Sequence, residues 1–373
     1  MNRLLRVALL LGVLIAIPVY AQDAEEELVY NPTVCYDAAE GEPLSDECLS
    51  MIEAFPEPSY ENVPYDYYTL ETYSFWRIGP SATPLYDSPH GNVVGEYPAG
   101  FNFVNAIDSS VEGWIQIQGG SWVPTEGATY TRPSYLRGFL LDDGNPYYPF
   151  AWVLDMTGIY TSETPGGAPS ADTNRIPLRY EMVNIFAQAV ADDGVTWYMI
   201  GPNQWIRQQF VAVARAAERP EGVSGRWVSI DLFEQTVVAY EDDTPVFAAL
   251  TSTGLSGTPT NTGVFEVWAS LALDGMSGAT GAPNAYALQT VPWVMYFDEG
   301  ISLHGSYWHD LYGYPQSRGC VNLSVSDAKW LFQFLAGAEP NEDGEVVNYV
   351  YVYQEGSISE IESGTEIGIG SST

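Results

Sequence analysis

HGSYWHDLYGYPQSRGCVNL, residues 304–323, is the stretch on which the reading of the whole chain turns. It sets His304 at the end of the apolar run GISLHG and Cys320 between Gly319 and Val321, with a Gly-, Pro- and Tyr-rich loop between them. A thiol with an ordinary pKa of about 8.5 is mostly protonated at neutral pH, and an imidazole beside it raises the reactive thiolate fraction. Gly319 lets a substrate carbonyl approach the main chain without a Cβ in the way, so N–H groups around Cys320 can form an oxyanion hole. Strand, loop and returning turn can close the distance between the two residues. On spacing alone they read either as a nucleophile with its base or as a buried structural Cys beside a satisfied core His.

Working outward, WVSIDLFEQTVVAYEDDTPVFAALTSTG from Trp227 holds three strand-like runs, with the solvated turn Glu241-Asp242-Asp243-Thr244 between the last two. GTPTNTGVFEVW continues the sheet, and VPWVMYF and GISLHG add two strands. Between them ASLALDGMSGATGAPNAYALQT is Gly/Ala-rich and non-periodic, which predicts a long lid-like loop. After Cys320, LSVSDAKWLFQFL puts Ser324 three residues before Asp327, a capping-box spacing, with Trp330, Leu331, Phe334 and Leu335 on one helical face. EVVNYVYVY closes as a strand, and residues 355–373 read as a disordered Ser/Gly/Glu tail.

These segments in this order resemble the L,D-transpeptidase catalytic domain over residues 226–354. The signature of that family is a His, a loop, then Ser/Thr-His-Gly-Cys-hydrophobic-Asn. His304, Ser317, Gly319, Cys320, Val321 and Asn322 stand in that order, with Arg318 where the family usually has His and a loop at the short end of its range. The resemblance implies that Cys320 is the acylated nucleophile and His304 its base and later its acid. It further implies that the Gly305 carbonyl orients the imidazole, that Gly319 lies in the oxyanion region, and that Ser317 and Asn322 shape the loop. Arg318 is either a cation that depresses the Cys320 pKa and pairs with a stem-peptide carboxylate, or an outward-pointing surface arginine. Trp308 and His309 are expected to line the donor groove, while Tyr307, Tyr312 and Tyr314 are groove walls or packing. His304, His309, Asp310 and Cys320 fit no familiar zinc spacing, so neither metal nor cofactor is expected.

The N-terminal part reads differently. MNRLLRVALLLGVLIAIPVYA, residues 1–21, has Arg3 and Arg6, an apolar run and a small-x-Ala end, which predicts a secretory signal; an uncleaved membrane anchor is the alternative. Residues 22–70 are acidic and rich in Pro and Tyr without sustained period, and read as a stalk or loose extension. Trp114 and Trp122 recur as Trp197 and Trp205 at a constant offset of 83, which Tyr97/Tyr180 and Phe103/Phe186 also hold. The short apolar runs of each copy, broken by Gly, Pro and Asn, read as small β-barrels over 71–135 and 150–215, and the first resembles the bacterial SH3-like domain. His90 in the turn SPHG reads as solvated.

Export makes the three cysteines informative, since an oxidising compartment pairs them and leaves one over. Cys35 and Cys48 flank a short acidic segment whose weak core gains from a staple, which predicts their disulfide and a free Cys320. With 13 Lys+Arg against 48 Asp+Glu, a net −35, nucleic-acid phosphate is excluded as a partner. The expected fold is mainly β: two small SH3-like barrels, then an L,D-transpeptidase-like β-sheet domain with one clear helix. The expected protein is an exported cell-wall or periplasmic enzyme acting on peptidoglycan stem peptides and forming 3-3 crosslinks. A carboxypeptidase or endopeptidase using the same Cys, and an inactive wall-binding protein, are its rivals.

Overall fold

In the computed structural model, described residues run from 30 to 354, apart from 59, 142–148, 155, 172–174, 280–281, 283 and 340–345. The expected signal segment and C-terminal tail lie outside them. The protein is mainly β, with few helices.

Two large sheets carry the C-terminal part. One has seven strands in the order Glu61–Asn62, Phe139–Leu140, Thr244–Leu250, Thr236–Glu241, Arg226–Asp231, Tyr349–Tyr353, Gly263–Glu266. Its one parallel pair sets Arg226–Asp231 beside Tyr349–Tyr353. The second sheet contains the parallel strands Ile301–Gly305 and Val321–Leu323, then the 13-residue strand Tyr286–Asp298. Between the sheets lies the helix Val325–Ala336, which buries Ala328, Leu331 and Leu335 against Val228, Ile230 and Val237 of one sheet and Met295, Leu303 and Val321 of the other.

The helix begins where Ser324 Oγ accepts the Asp327 N–H at 3.1 Å. The expected capping box is only half made, because Asp327 Oδ1 turns away to accept the Gly138 N–H at 2.7 Å. The predicted lid loop is corrected outright. Ala269–Gly278 is a strand paired antiparallel with Tyr286–Asp298, so the two form a long hairpin. Most of that strand is exposed, so its register is held by main-chain bonds and no apolar alternation was needed to specify it.

Residues 30–72 are not the loose extension the composition suggested. The 3-10 helix Pro32–Glu40 and the helix Asp46–Ala54 are joined by the Cys35–Cys48 disulfide and bury Tyr30, Met51 and Ile52 against Trp197 and Trp205. Tyr30 Oη donates to the Ile185 carbonyl at 2.7 Å. Farther on, Asp66 is fully buried. Its carboxylate meets Lys329 Nζ at 2.7 Å and accepts Trp293 Nε1 at 2.7 Å, pinning this segment to the C-terminal helix.

The 83-residue offset appears in strand pairing. Trp114, Ile115 and Gln116 oppose Pro124, Val123 and Trp122, and in the second copy Trp197, Tyr198 and Met199 oppose Arg207, Ile206 and Trp205. Trp114, Trp197 and Trp205 are buried. The second copy comprises two three-stranded sheets between Phe150 and Ala214. The first is not closed on itself: Phe101–Asp108 runs parallel to Tyr286–Asp298, so its strands join the sheet that carries His304.

Candidate active site

The site is built on two parallel strands. Leu303 pairs with Val321 and His304 with Asn322, so Cys320, one residue before Val321, falls opposite Ser302. Side chains two apart on a strand share a face. His304, Asn322, Ser302 and Cys320 are therefore on one side of the sheet. Tyr296, the register partner of Ser302, continues the row.

Cys320 is a free thiol, partly exposed. Its Sγ lies 3.8 Å from Ser302 Oγ and 3.9 Å from the Gly300 carbonyl. Burial pushes the thiol pKa up, and Ser302's main-chain and hydroxyl hydrogen bonds only partly offset this. The expectation that Arg318 would depress that pKa is not met. The Arg318 guanidinium is exposed and stacks on the Tyr286 ring, 4.6 Å from its centroid, where solvent screens its charge.

His304 is 2 % exposed, and burial pulls its pKa down to about 4. Nδ1 faces the Gly305 carbonyl at 3.4 Å, the orienting contact implied for Gly305. A Cβ at Gly305 would come within 3.0 Å of Pro292, so the tight passage of this strand also requires glycine. His309 is partly buried, with Nε2 2.8 Å from the Asn322 side-chain amide and Nδ1 accepting the Leu311 N–H at 3.2 Å. It braces Asn322, while Trp308 lies against the His304 ring at 5.5 Å. Tyr307 and Tyr312 are fully buried and serve as packing, and Tyr314 donates to the Leu154 carbonyl at 3.2 Å.

Ser317 shapes the turn that presents the thiol. Its Oγ accepts the Gly319 N–H at 3.1 Å and donates to the Cys320 carbonyl. Gly319 has φ +115°, and a Cβ there would meet Ile301 at 3.3 Å, so the turn demands glycine. The Gly319 N–H thus already has its acceptor within the turn. Thr260 Oγ1 closes the other side of the turn by donating to the Gly319 carbonyl at 2.7 Å. Among the described residues, no group of three His, Cys, Asp or Glu is arranged to hold a metal ion.

Tyr286 and Tyr296 were missed in the sequence. Both are close enough to Cys320 for its charge to raise their pKa values, though burial is the larger cause. Tyr296 donates to Asp274 Oδ2 at 2.8 Å and stacks with the exposed Trp268 at 5.3 Å. The hairpin thereby lays an aromatic wall beside the thiol, and only its pairing register with Ser302 could have placed Tyr296 there.

No curated protein matches the chain. Among solved structures it is similar to an L,D-transpeptidase from Stackebrandtia nassauensis at 26% identity, covering 36% of this chain and 58% of that one with a TM-score of 0.28. It is likewise similar to an L,D-transpeptidase from Xylanimonas cellulosilytica at 28% identity, covering 36% and 63% with a TM-score of 0.26. For the catalytic domain of the E. faecium L,D-transpeptidase the values are 26% identity, 35% and 99% coverage, and a TM-score of 0.29. The chain thus spans less than two thirds of the first two proteins. The family model for the YkuD L,D-transpeptidase catalytic domain matches residues 225–357, the part that carries both strands of the site. The resemblance of this chain to L,D-transpeptidase catalytic domains is thus carried by that segment.

Proposed function

We propose that the protein is an exported peptidoglycan L,D-transpeptidase in which Cys320 attacks the L-centre carbonyl of a donor stem peptide. The observation that carries this reading is the free Cys320 thiol, presented by the Ser317–Gly319 turn on the face shared with His304. Burial keeps both groups neutral in the resting state. His304 therefore takes the thiol proton as the C–S bond forms, and returns it to the departing terminal D-amino acid as the acyl-thioester is left behind. An acceptor amine from a second stem then attacks the thioester, giving a 3-3 crosslink and restoring the thiol. Asn322 and His309 hold the strand at His304, Trp308 walls the imidazole, and Arg318 receives a stem-peptide carboxylate.

On the same reading, residues 1–21 direct export and the segments 71–135 and 150–215 are small β modules that hold the enzyme at the wall. Intact mass after incubation with a carbapenem tests the nucleophile. One drug mass on the wild type, absent from Cys320→Ala, is expected. No adduct on folded protein with a free thiol would overturn the assignment and favour the wall-binding alternative.

A further inference from the structure

The first repeat does more than adjoin the catalytic sheet. Phe101 pairs with Tyr286 and Phe103 with Leu288 across a parallel seam, and the Phe101 N–H donates to the Ala285 carbonyl at 2.9 Å. Gly100 allows this approach, since a Cβ there would meet the Ala285 oxygen at 2.6 Å. Gln289 stitches the seam by donating to Tyr97 Oη at 2.6 Å and accepting the Asn105 N–H at 3.2 Å. Phe75 stacks on Tyr307 at 3.8 Å, so the face of its strand that also bears Arg77 is turned toward the catalytic loop.

Two cation–aromatic stacks meet on this seam. Arg318 lies over Tyr286 at 4.6 Å, and Arg77 lies over Phe101 at 5.6 Å. Both arginines are exposed, and among the described residues neither has a carboxylate within 4 Å, unlike Arg175, Arg207, Arg219 and Arg226. In a chain with 48 acidic against 13 basic residues, two guanidiniums without a carboxylate partner form a local positive track along this seam. A guanidinium stacked on a ring keeps its planar N–H fork directed outward for a bidentate carboxylate contact. The strands carrying Arg77 and Tyr286 flank Phe101–Asp108, which separates them by two strand spacings, about 10 Å, the span of about three extended residues.

We propose that Arg77, seated on Phe101, is a second anion subsite that takes a carboxylate of a peptide strand about three residues beyond the one held at Arg318. The first repeat then supplies one wall of the substrate groove. The subsite extends the transpeptidase reading above, so its test must not depend on turnover.

Calorimetric binding to the full chain carrying Cys320→Ala provides that test, with a tetrapeptide donor extended by three residues that ends in a carboxylate, and with its amide counterpart. The acid is expected to bind about tenfold more tightly than the amide. Adding Arg77→Gln should erase that preference, Arg77→Lys should retain part of it, and Arg219→Gln, away from the seam, should keep it whole. Equal affinity for acid and amide, or a preference that survives Arg77→Gln in a variant with unchanged melting temperature, overturns the subsite. Carbapenem labelling of the wild type is read separately. Loss of labelling with an intact Arg77-dependent preference would reject the catalytic reading and keep the subsite, and the converse would reject the subsite alone.

Discussion

His304 and Cys320 stand on one face of adjacent parallel strands but two residues out of register, the imidazole opposite Asn322 and the thiol opposite Ser302. The sulfur's hydrogen-bond partners are Ser302 and Gly300 rather than the imidazole. Burial has pulled the His304 pKa down to about 4, so the base form persists well below the ordinary histidine value of about 6.5. Acylation of Cys320 should therefore lose rate only as pH falls through about 4, where His304 takes up its proton. Carbapenem labelling rates followed by intact mass across the acid range check this, and an acid limb near about 6.5 would contradict it. His304→Gln should slow labelling by roughly 100-fold or more at neutral pH.

Ser317 makes a different prediction, because it touches the turn and not the reacting atom. Its hydroxyl bridges the Gly319 N–H and the Cys320 carbonyl. Ser317→Ala leaves the thiol in place and releases the turn that aims it. Acylation should fall by about 10- to 100-fold while the thiol remains open to a small alkylating reagent. Equal losses with both reagents would mean that the turn had collapsed over the sulfur.

The parts legible in the sequence are those whose cause is local. Ser324 and the apolar face through Leu331 and Leu335 define a helix because cap and period lie within one short window. Ala269–Gly278 is exposed along most of its length, so no alternation marks it, and a Gly/Ala-rich segment looks like a loop. Tyr296 lies in a run that reads as a strand, but its place beside Cys320 comes from register with Ser302, which periodicity does not fix. Asp66 was read as part of an acidic extension. Its burial depends on Lys329, 263 residues away.

That distant pair carries a stability prediction. Burial raises the Asp66 pKa, but the Lys329 ammonium, Thr69 and Trp293 together hold it below the ordinary range. Lys329→Met would leave a buried carboxylate without its cation, costing about 3 kcal/mol. Joining it to Asp66→Leu should recover part of that loss, because the uncompensated charge is then gone. Urea unfolding of the two single variants and the double variant measures the coupling, and additive losses would show that the pair does not act as a unit.

Asp327 carries the opposite dependence on pH. It is fully buried in the first turn of the C-terminal helix, its Oδ1 accepts the Gly138 N–H, and burial pushes its pKa up to about 7. A carboxyl whose folded pKa lies above its unfolded value of about 3.9 contributes its full stability below that value and loses it as pH rises through about 7. Glu234, raised to about 7 by burial despite its contact with Arg215, acts in the same window. Wild-type stability attributable to these groups should therefore decline from mildly acidic to mildly alkaline pH. Asp327→Asn keeps the acceptor for Gly138 and cannot ionise. Relative to wild type it should gain on the order of 2 kcal/mol between about pH 5 and about pH 8. Melting curves at several pH values decide the matter: parallel pH dependences for wild type and Asp327→Asn would mean that Asp327 titrates as it does in the unfolded chain.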